Sequence, residues 1–344
     1  MDEAEFQRKK AEMEPWYWWG IQTFFKCPWD ENPANCDIGL VGVPHSSGNG
    51  STERDQHLAP RAVRNNSGWY RRGHQKYGIV PWDVARIHDL GDVPLPHAMV
   101  NDICVQDIEG FFKRLDRTGT RPVSIGGDHA ITGPILKAIA GKDARLTGGR
   151  KCALLHFDAH RDDYEHIPHW LGSVRSAAHW AAYTVAEQHV DPTRSVQIGM
   201  RGNPIKPRAD ITASKLGYKL IPADEFFELG IEATVRIIRD RVGDMPLYIT
   251  FDLDVLDPAE APAVANMEPM QRGLRAWQAE KIFHGLRGLD VIGADIVCMI
   301  PTKDNPSNIT AMTAMALMFE MIALIADGVN QRKQKVSGSR ESEV

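Results

Sequence analysis

The sequence predicts an α/β fold, with a central, mainly parallel sheet flanked by helices in three layers. Three observations lead there. The runs IGLVGV, RPVSIGG, KCALLHFDAH, RSVQIGM, PLYITFDLDV and GADIVCMI read as strands, and several are apolar on both faces, as strands buried between helices must be. Between them, Val105 to Leu115, Thr132 to Ala140 and Ile231 to Arg241 space their apolar residues closer to a helical period. The length of 344 residues, 43% of them hydrophobic, suits one large domain.

In chain order, residues 1–36 form an extension in which Trp16, Tyr17, Trp18, Trp19, Phe24 and Phe25 place six aromatics within ten residues. Such an arm packs on its own domain or on a neighbouring subunit. Residues 37–330 carry all the strand candidates and read as one domain. Within it, the apolar stretch Ala311 to Ala326 is interrupted by Thr313 and Glu320 and falls short of the ~20 residues of a membrane span, so it reads as a buried helix. Residues 331–344, ending VSGSRESEV, read as a polar tail.

The bulk numbers exclude several functions. Net charge is −5, with sequence pI about 6.2, and Lys and Arg are scattered, so no basic stripe is available for nucleic acid. The five cysteines, Cys27, Cys36, Cys104, Cys152 and Cys298, are odd in number and widely spaced, which reads as reduced thiols. The start, MDEAEFQRKKAEMEP, lacks the apolar run and cleavage site of a signal peptide. A cytoplasmic protein with no membrane partner is expected.

Three strand ends carry the chemistry: SIGGDHA (Ser124 to Ala130), HFDAHRDDY (His156 to Tyr164) and TFDLDVLDP (Thr250 to Pro258). Asp158, His160 and Asp162 recur every two residues, and an extended run would project all three to one side. Asp252 and Asp254 repeat that spacing directly after LYITF, which would bury them. Buried carboxylates need compensation. A cation supplies it, and four aspartates with His129 and His160 suit divalent first-row metals better than calcium. Four carboxylates exceed what one ion balances; two ions roughly 3.5–4 Å apart are a recurrent hydrolytic arrangement.

GGDHA, DAHRD and TFDLDVLDPAEAP resemble the three signature blocks of the ureohydrolase family, which includes arginase, agmatinase and guanidine hydrolases. The likeness extends to APRAVR (Ala59 to Arg64) and HDLGDV (His88 to Val93) and spans about Asp37 to Ala326. It implies a three-layer arginase-like fold. It also implies that His129 and Asp162 hold one ion and His160 and Asp254 the other, with Asp158 and Asp252 shared. By the same resemblance Asp162 donates a proton to the departing nitrogen, after attack of water on a guanidino carbon. His179 stands where relatives place a mobile proton-shuttling or substrate-contacting histidine, with His169 its competitor.

The chain departs from common relatives at two places. A Gly-Thr-Gly-Thr-Pro-Glu run is replaced by Ala263, Val264, Ala265, Asn266, Met267 and Glu268, and the glutamate that follows GADIV in arginase-like chains is Cys298. Losing that carboxylate removes a charge-assisted hydrogen bond to a cationic amidine. Asp163, His169, Asn266, Glu268 and Cys298 are therefore the candidate substrate contacts.

The aromatic leader and PHSSGNGSTERDQHLAPRAVRN (Pro44 to Asn65) resemble the guanidine hydrolase branch, which is nickel-using and includes metformin hydrolase. That likeness implies two nickel ions, with manganese the alternative, in a homo- or hetero-oligomer such as a trimer or hexamer. The expected substrate is a small cationic biguanide such as metformin, cleaved to guanylurea and dimethylamine. The alternatives are a guanidine hydrolase, an agmatinase or guanidinoacid ureohydrolase releasing urea, and a non-catalytic partner subunit.

Overall fold

Among the residues described by the computed structural model (1–14, 16–50, 53–168, 172–202, 214–269 and 272–341, with side chains through 334), eight strands form one sheet. They are β1 (Ile38–Val43), β2 (Ile87–Asp92), β3 (Arg121–Gly126), β4 (Ala153–Phe157), β5 (Val196–Ile198), β6 (Lys219–Ile221), β7 (Leu247–Asp252) and β8 (Val291–Val297). Their order is β2-β1-β3-β8-β7-β4-β5-β6, and every neighbouring pair is parallel. All six expected strands are present. The sequence reading missed β2, whose run is broken by Asp89 and Gly91, and β6, which is three residues long.

Helices cover both faces, as a buried parallel sheet requires. The helices are α1 (Glu3–Met13), α2 (Ala59–Ser67), α3 (Pro81–Val84), α4 (Asn101–Thr118), α5 (Thr132–Ile139), α6 (Trp180–Ala186), α7 (Ala223–Val242), α8 (Ala276–Gly285) and α9 (Ile309–Glu341). One apolar layer joins α2, α7, α8 and α9 to Leu155, Phe157, Ile249 and Phe251 of the sheet. The opposite layer joins α4, α5 and α6 to Val41, Leu154 and Tyr248. The sheet thus lies between two helical layers.

Element boundaries follow local chemistry. α4 stops at Gly119, whose φ of 81° lets its N–H reach back to Leu115 and Asp116. The helix expected at Ile231 to Arg241 is the second half of α7, which begins at Ala223 and turns at Gly230 (φ 73°). α9 carries the apolar stretch Ala311 to Ala326 as a buried helix against β8, α2, α3 and α8. It continues through most of the polar tail to Glu341.

The N-terminal arm divides in two. Phe24 and Phe25 are buried in the α2–α9 layer, and the Phe24 N–H donates to Asp89 Oδ2 at 2.9 Å. Arg64 grips the same Asp89 with two hydrogen bonds of 2.8 and 2.9 Å and reaches Asp92 at 2.6 Å, which explains why APRAVR and HDLGDV occur together. Upstream, Trp16, Tyr17 and Trp18 each stay half exposed, and no residue of α1 is buried. All five cysteines are buried and unpaired.

Candidate active site

The carboxyl ends of β3, β4 and β7 lie side by side around β8, which brings the three acidic blocks to one rim of the sheet. After β3 the chain turns through Gly127, where an added Cβ would stand 1.6 Å from the carbonyl oxygen of His45. Only glycine permits that approach. Asp128 then ties the turn together, accepting from the N–H groups of Ala130, Gly48 and Asn49 at 2.7–3.0 Å, and His129 begins a short helical turn aimed over the sheet.

His129 Nδ1 lies 3.0 Å from Asp158 Oδ2, 3.0 Å from Asp162 Oδ2 and 3.3 Å from Asp252 Oδ2. His160 Nδ1 lies 3.3 Å from Asp158 Oδ1 and 3.0 Å from Asp254 Oδ2. The six expected residues therefore converge as two half-clusters, with one oxygen of Asp158 facing each. The route differs from the extended run expected from the spacing. β4 ends at Phe157, and residues 158–162 turn, with Asp162 in the left-handed region (φ 52°). Likewise Asp252 closes β7 while Asp254 sits in the short helical turn beyond it, its N–H donating to Asp252 Oδ1.

Hydrogen bonds set the lone pairs. Thr250 donates its hydroxyl to Asp295 Oδ1 at 2.6 Å, so its oxygen accepts from His129 Nε2 at 2.9 Å. That places the Nε2 hydrogen away from the cluster and leaves Nδ1, buried and without a hydrogen-bond partner, facing three carboxylates. Asp295 is held by Thr132 and Tyr248 as well. Trp180 closes the apolar side, its ring 4.8 Å from that of His129 and its Nε1–H donating to Asp162 Oδ2.

The electrostatics call for positive charge. Burial pulls the pKa of His129 down, but the carboxylates of Asp158, Asp162 and Asp252, 3.0–3.3 Å from Nδ1, hold it well above the ordinary histidine value. Burial likewise opposes charge on His160, and Asp254 and Asp158 overcome it. Asp254 is pushed well above the carboxylate range by burial and by Asp252, and Asp252 is raised by burial and Asp158. Burial would raise Asp158 too, but the imidazoles of His129, His156 and His160 beside it carry it well below. The donor set of four carboxylates and two imidazoles, with an orphaned Nδ1 between them, fits divalent cations.

A cleft of about 310 Å³ opens onto the cluster, lined by Asn49, Gly50, His129, His160, Asp162, Tyr164, Asp252, Asn266 and Cys298, among others. Cys298 belongs to its wall; burial, Asp252 and Asp254 push its thiol pKa well up. Glu268 Oε1 is 3.4 Å from His160 Nε2. Asp163 does not join them. Arg161 pairs with its Oδ1 at 2.8 Å and Ser214 donates to its Oδ2, so this carboxylate is already occupied.

His179 is off the cleft wall, with Nδ1 against the Ser176 hydroxyl at 2.6 Å and Nε2 against the Ile167 carbonyl at 3.1 Å. His169 lies outside the described residues. The sequence reading passed over His156, Gln197, Thr250, Asp295 and Trp180. His156 was discoverable, because it stands two residues before Asp158, at the spacing that aligns side chains along an extended chain.

A fold of this topology with paired Asp/His half-clusters at one rim is that of a metal-dependent hydrolase. The arginase family model matches residues 36–323. The chain is 39% identical over 316 residues to the guanidinopropionase of Pseudomonas aeruginosa, covering 90% of this chain and 92% of that one. It is 31% identical to the mitochondrial agmatinase of Gallus gallus, covering 89% and 86%. The solved proclavaminate amidino hydrolase from Streptomyces clavuligerus superposes with a TM-score of 0.82 at 29% identity, covering 91% of this chain and 99% of that one. The chain belongs to the arginase family.

Proposed function

We propose that this enzyme hydrolyses a small ω-guanidino compound to urea, a guanidino acid in the first instance and agmatine in the second. The observation that carries the hydrolytic reading is Asp158, whose two oxygens face His129 and His160 on opposite sides. The preference for a guanidino acid rests on the similarity to guanidinopropionase. The biguanide expected from Cys298 and the rewritten loop gives way to this alternative, because the relatives named above carry guanidino-acid and agmatine names. The branch likeness to guanidine and metformin hydrolases stays a proposal of lower rank.

In this reading His129, Asp158, His160, Asp162, Asp252 and Asp254 hold two divalent cations, nickel by branch resemblance or manganese. When bound, they would lower the pKa of water toward neutrality and supply Lewis acidity. Asp162, at the cleft wall and steadied by Trp180, takes up the proton released as water adds to the guanidino carbon. It then returns that proton to the departing nitrogen, which cannot leave as an amide anion. Glu268, beside His160, offers the negative charge that Cys298 lacks for a guanidinium. His179 acts through Ser176 and the 167 carbonyl to shape the cleft wall rather than touching substrate. The half-exposed Trp16, Tyr17 and Trp18 support assembly of several chains, as a trimer or hexamer.

The test is a panel with product identification: metal-loaded enzyme assayed for urea from guanidinopropionate, guanidinobutyrate, agmatine, arginine and guanidine, and for dimethylamine from metformin. Urea from a guanidino acid, with the largest kcat/KM of the panel, is expected. Dimethylamine from metformin with no urea from any guanidino compound would return the biguanide reading.

A further inference from the structure

Parallel register aligns five polar residues in one row beneath the cluster: Ser124 on β3, Asp295 on β8, Thr250 on β7, His156 on β4 and Gln197 on β5. All five are fully buried. A buried polar row is costly unless each member has a task. Asp295 and Thr250 orient His129. Ser124 Oγ has no hydrogen-bond partner, whereas the other arm of the row, Gln197 and His156, leads to Asp158.

Its geometry is directional. Gln197 Nε2 donates to the Arg161 carbonyl at 2.8 Å and lies 2.9 Å from His156 Nδ1. Turning the amide over would set its oxygen against the Arg161 carbonyl oxygen, so Nε2 stays where it is even though Gln197 Oε1 is buried without a partner. A donor facing Nδ1 makes that nitrogen the acceptor and places the ring hydrogen on Nε2. Nε2 in turn lies 2.8 Å from Asp158 Oδ2. The opposite tautomer would bring two lone pairs together at that distance.

Asp158 is consequently held by one N–H on each oxygen: His156 Nε2–H on Oδ2, and the backbone N–H of His160 on Oδ1 at 2.7 Å. Each carboxylate oxygen has about two acceptor directions. One is used on each side, and the remaining one on each side is directed at a different half-cluster. We infer that His156, with its tautomer set by Gln197, is a positioning residue that fixes Asp158 as the shared ligand of both half-clusters.

This rests on the proposed two-cation reading, and the experiment separates the two. His156→Leu, His156→Gln, Gln197→Leu and, as a control in the same row, Ser124→Ala are purified metal-free. Nickel and manganese are then titrated in against a chelator, with the thermal midpoint of each metal-free protein recorded. His156→Leu is expected to weaken metal affinity 10–100-fold, the usual effect of removing such an outer partner. Gln197→Leu should weaken it less. His156→Gln, which keeps an N–H near the Nε2 position, should recover most of the loss, and Ser124→Ala should match the parent. The inference is overturned if folded His156→Leu binds as tightly as the parent, or if His156→Gln fails to recover affinity although its metal-free midpoint matches the parent. A parent that binds two ions but releases no urea removes the proposed substrate and leaves the positioning role standing. A parent that binds none removes both.

Discussion

Three residues on the cleft wall, Asp162, Asn266 and Cys298, adopt left-handed backbone (φ 52°, 52° and 69°) without being glycine. Such conformations cost of order 1–3 kcal/mol each and persist where the surroundings over-determine them. At Asp162 the reason is visible: the turn swings its carboxylate back toward His129, where Trp180 Nε1–H holds it at 3.0 Å. Asp162→Asn keeps the size and the left-handed tolerance but removes the carboxylate to which the proposed function gives the proton. A fall in kcat of about 10²–10⁴-fold is expected, the usual contribution of a positioned acid or base. Initial rates at saturating substrate check this, and an unchanged kcat would take Asp162 out of the proton path. The identity of this residue was legible from its motif. Its direction was not, because a spacing of two describes a strand and the chain had already left it.

At the scale of elements, the α8–α9 contact contains a second histidine–carboxylate cluster with a different purpose. The Tyr77 N–H donates to His74 Nδ1, so His74 carries its hydrogen on Nε2 and gives it to Glu320 Oε2 at 2.9 Å. His284 Nε2 meets the same oxygen at 3.0 Å. Glu320 was read from the sequence only as an interruption in an apolar stretch, yet it clips α9 to α8 and to the loop after α2. Glu320→Leu strands two buried N–H groups, at about 1–3 kcal/mol each. A lowered denaturant midpoint is expected with no change in kcat/KM, since the cluster is separate from the cleft. Strands were legible where apolar runs were unbroken. β2 was hidden because its Asp89, buried at 0% exposure, looks like a loop residue until Arg64 arrives from α2 to pair with it.

For the whole molecule, the excess of buried carboxylate links folding to protons and to cations. His129 and His160 have folded-state values raised above those of the unfolded chain. The stability they add is complete below pH about 6.5, the unfolded value, and is lost as pH rises through their elevated folded-state values. The depressed Asp158 works in the opposite sense: its contribution is present above the ordinary carboxylate pKa of about 3.9 and is lost as pH falls through its lower folded value. The thermal midpoint of the metal-free protein should therefore decline from neutral pH upward. The stabilisation gained on adding nickel or manganese should grow over the same range, because ions compete with protons for the same nitrogens. Scanning calorimetry with and without chelator measures both, and a metal-free midpoint that rises with pH would contradict the charge assignment.

By itself the sequence determined the fold class and the identity of the six residues that converge at the rim of the sheet. Alternating strand and helix periods and buried acids at strand ends are local properties of the chain. Tertiary structure alone decided what surrounds them. The row from Ser124 to Gln197 is drawn from five strands distant in sequence, and only parallel register lines it up. Whether Asp163 is free or already paired, and whether His179 reaches the cleft, depends on partners such as Arg161 and Ser176, brought in by turns whose direction follows from packing rather than from residue spacing.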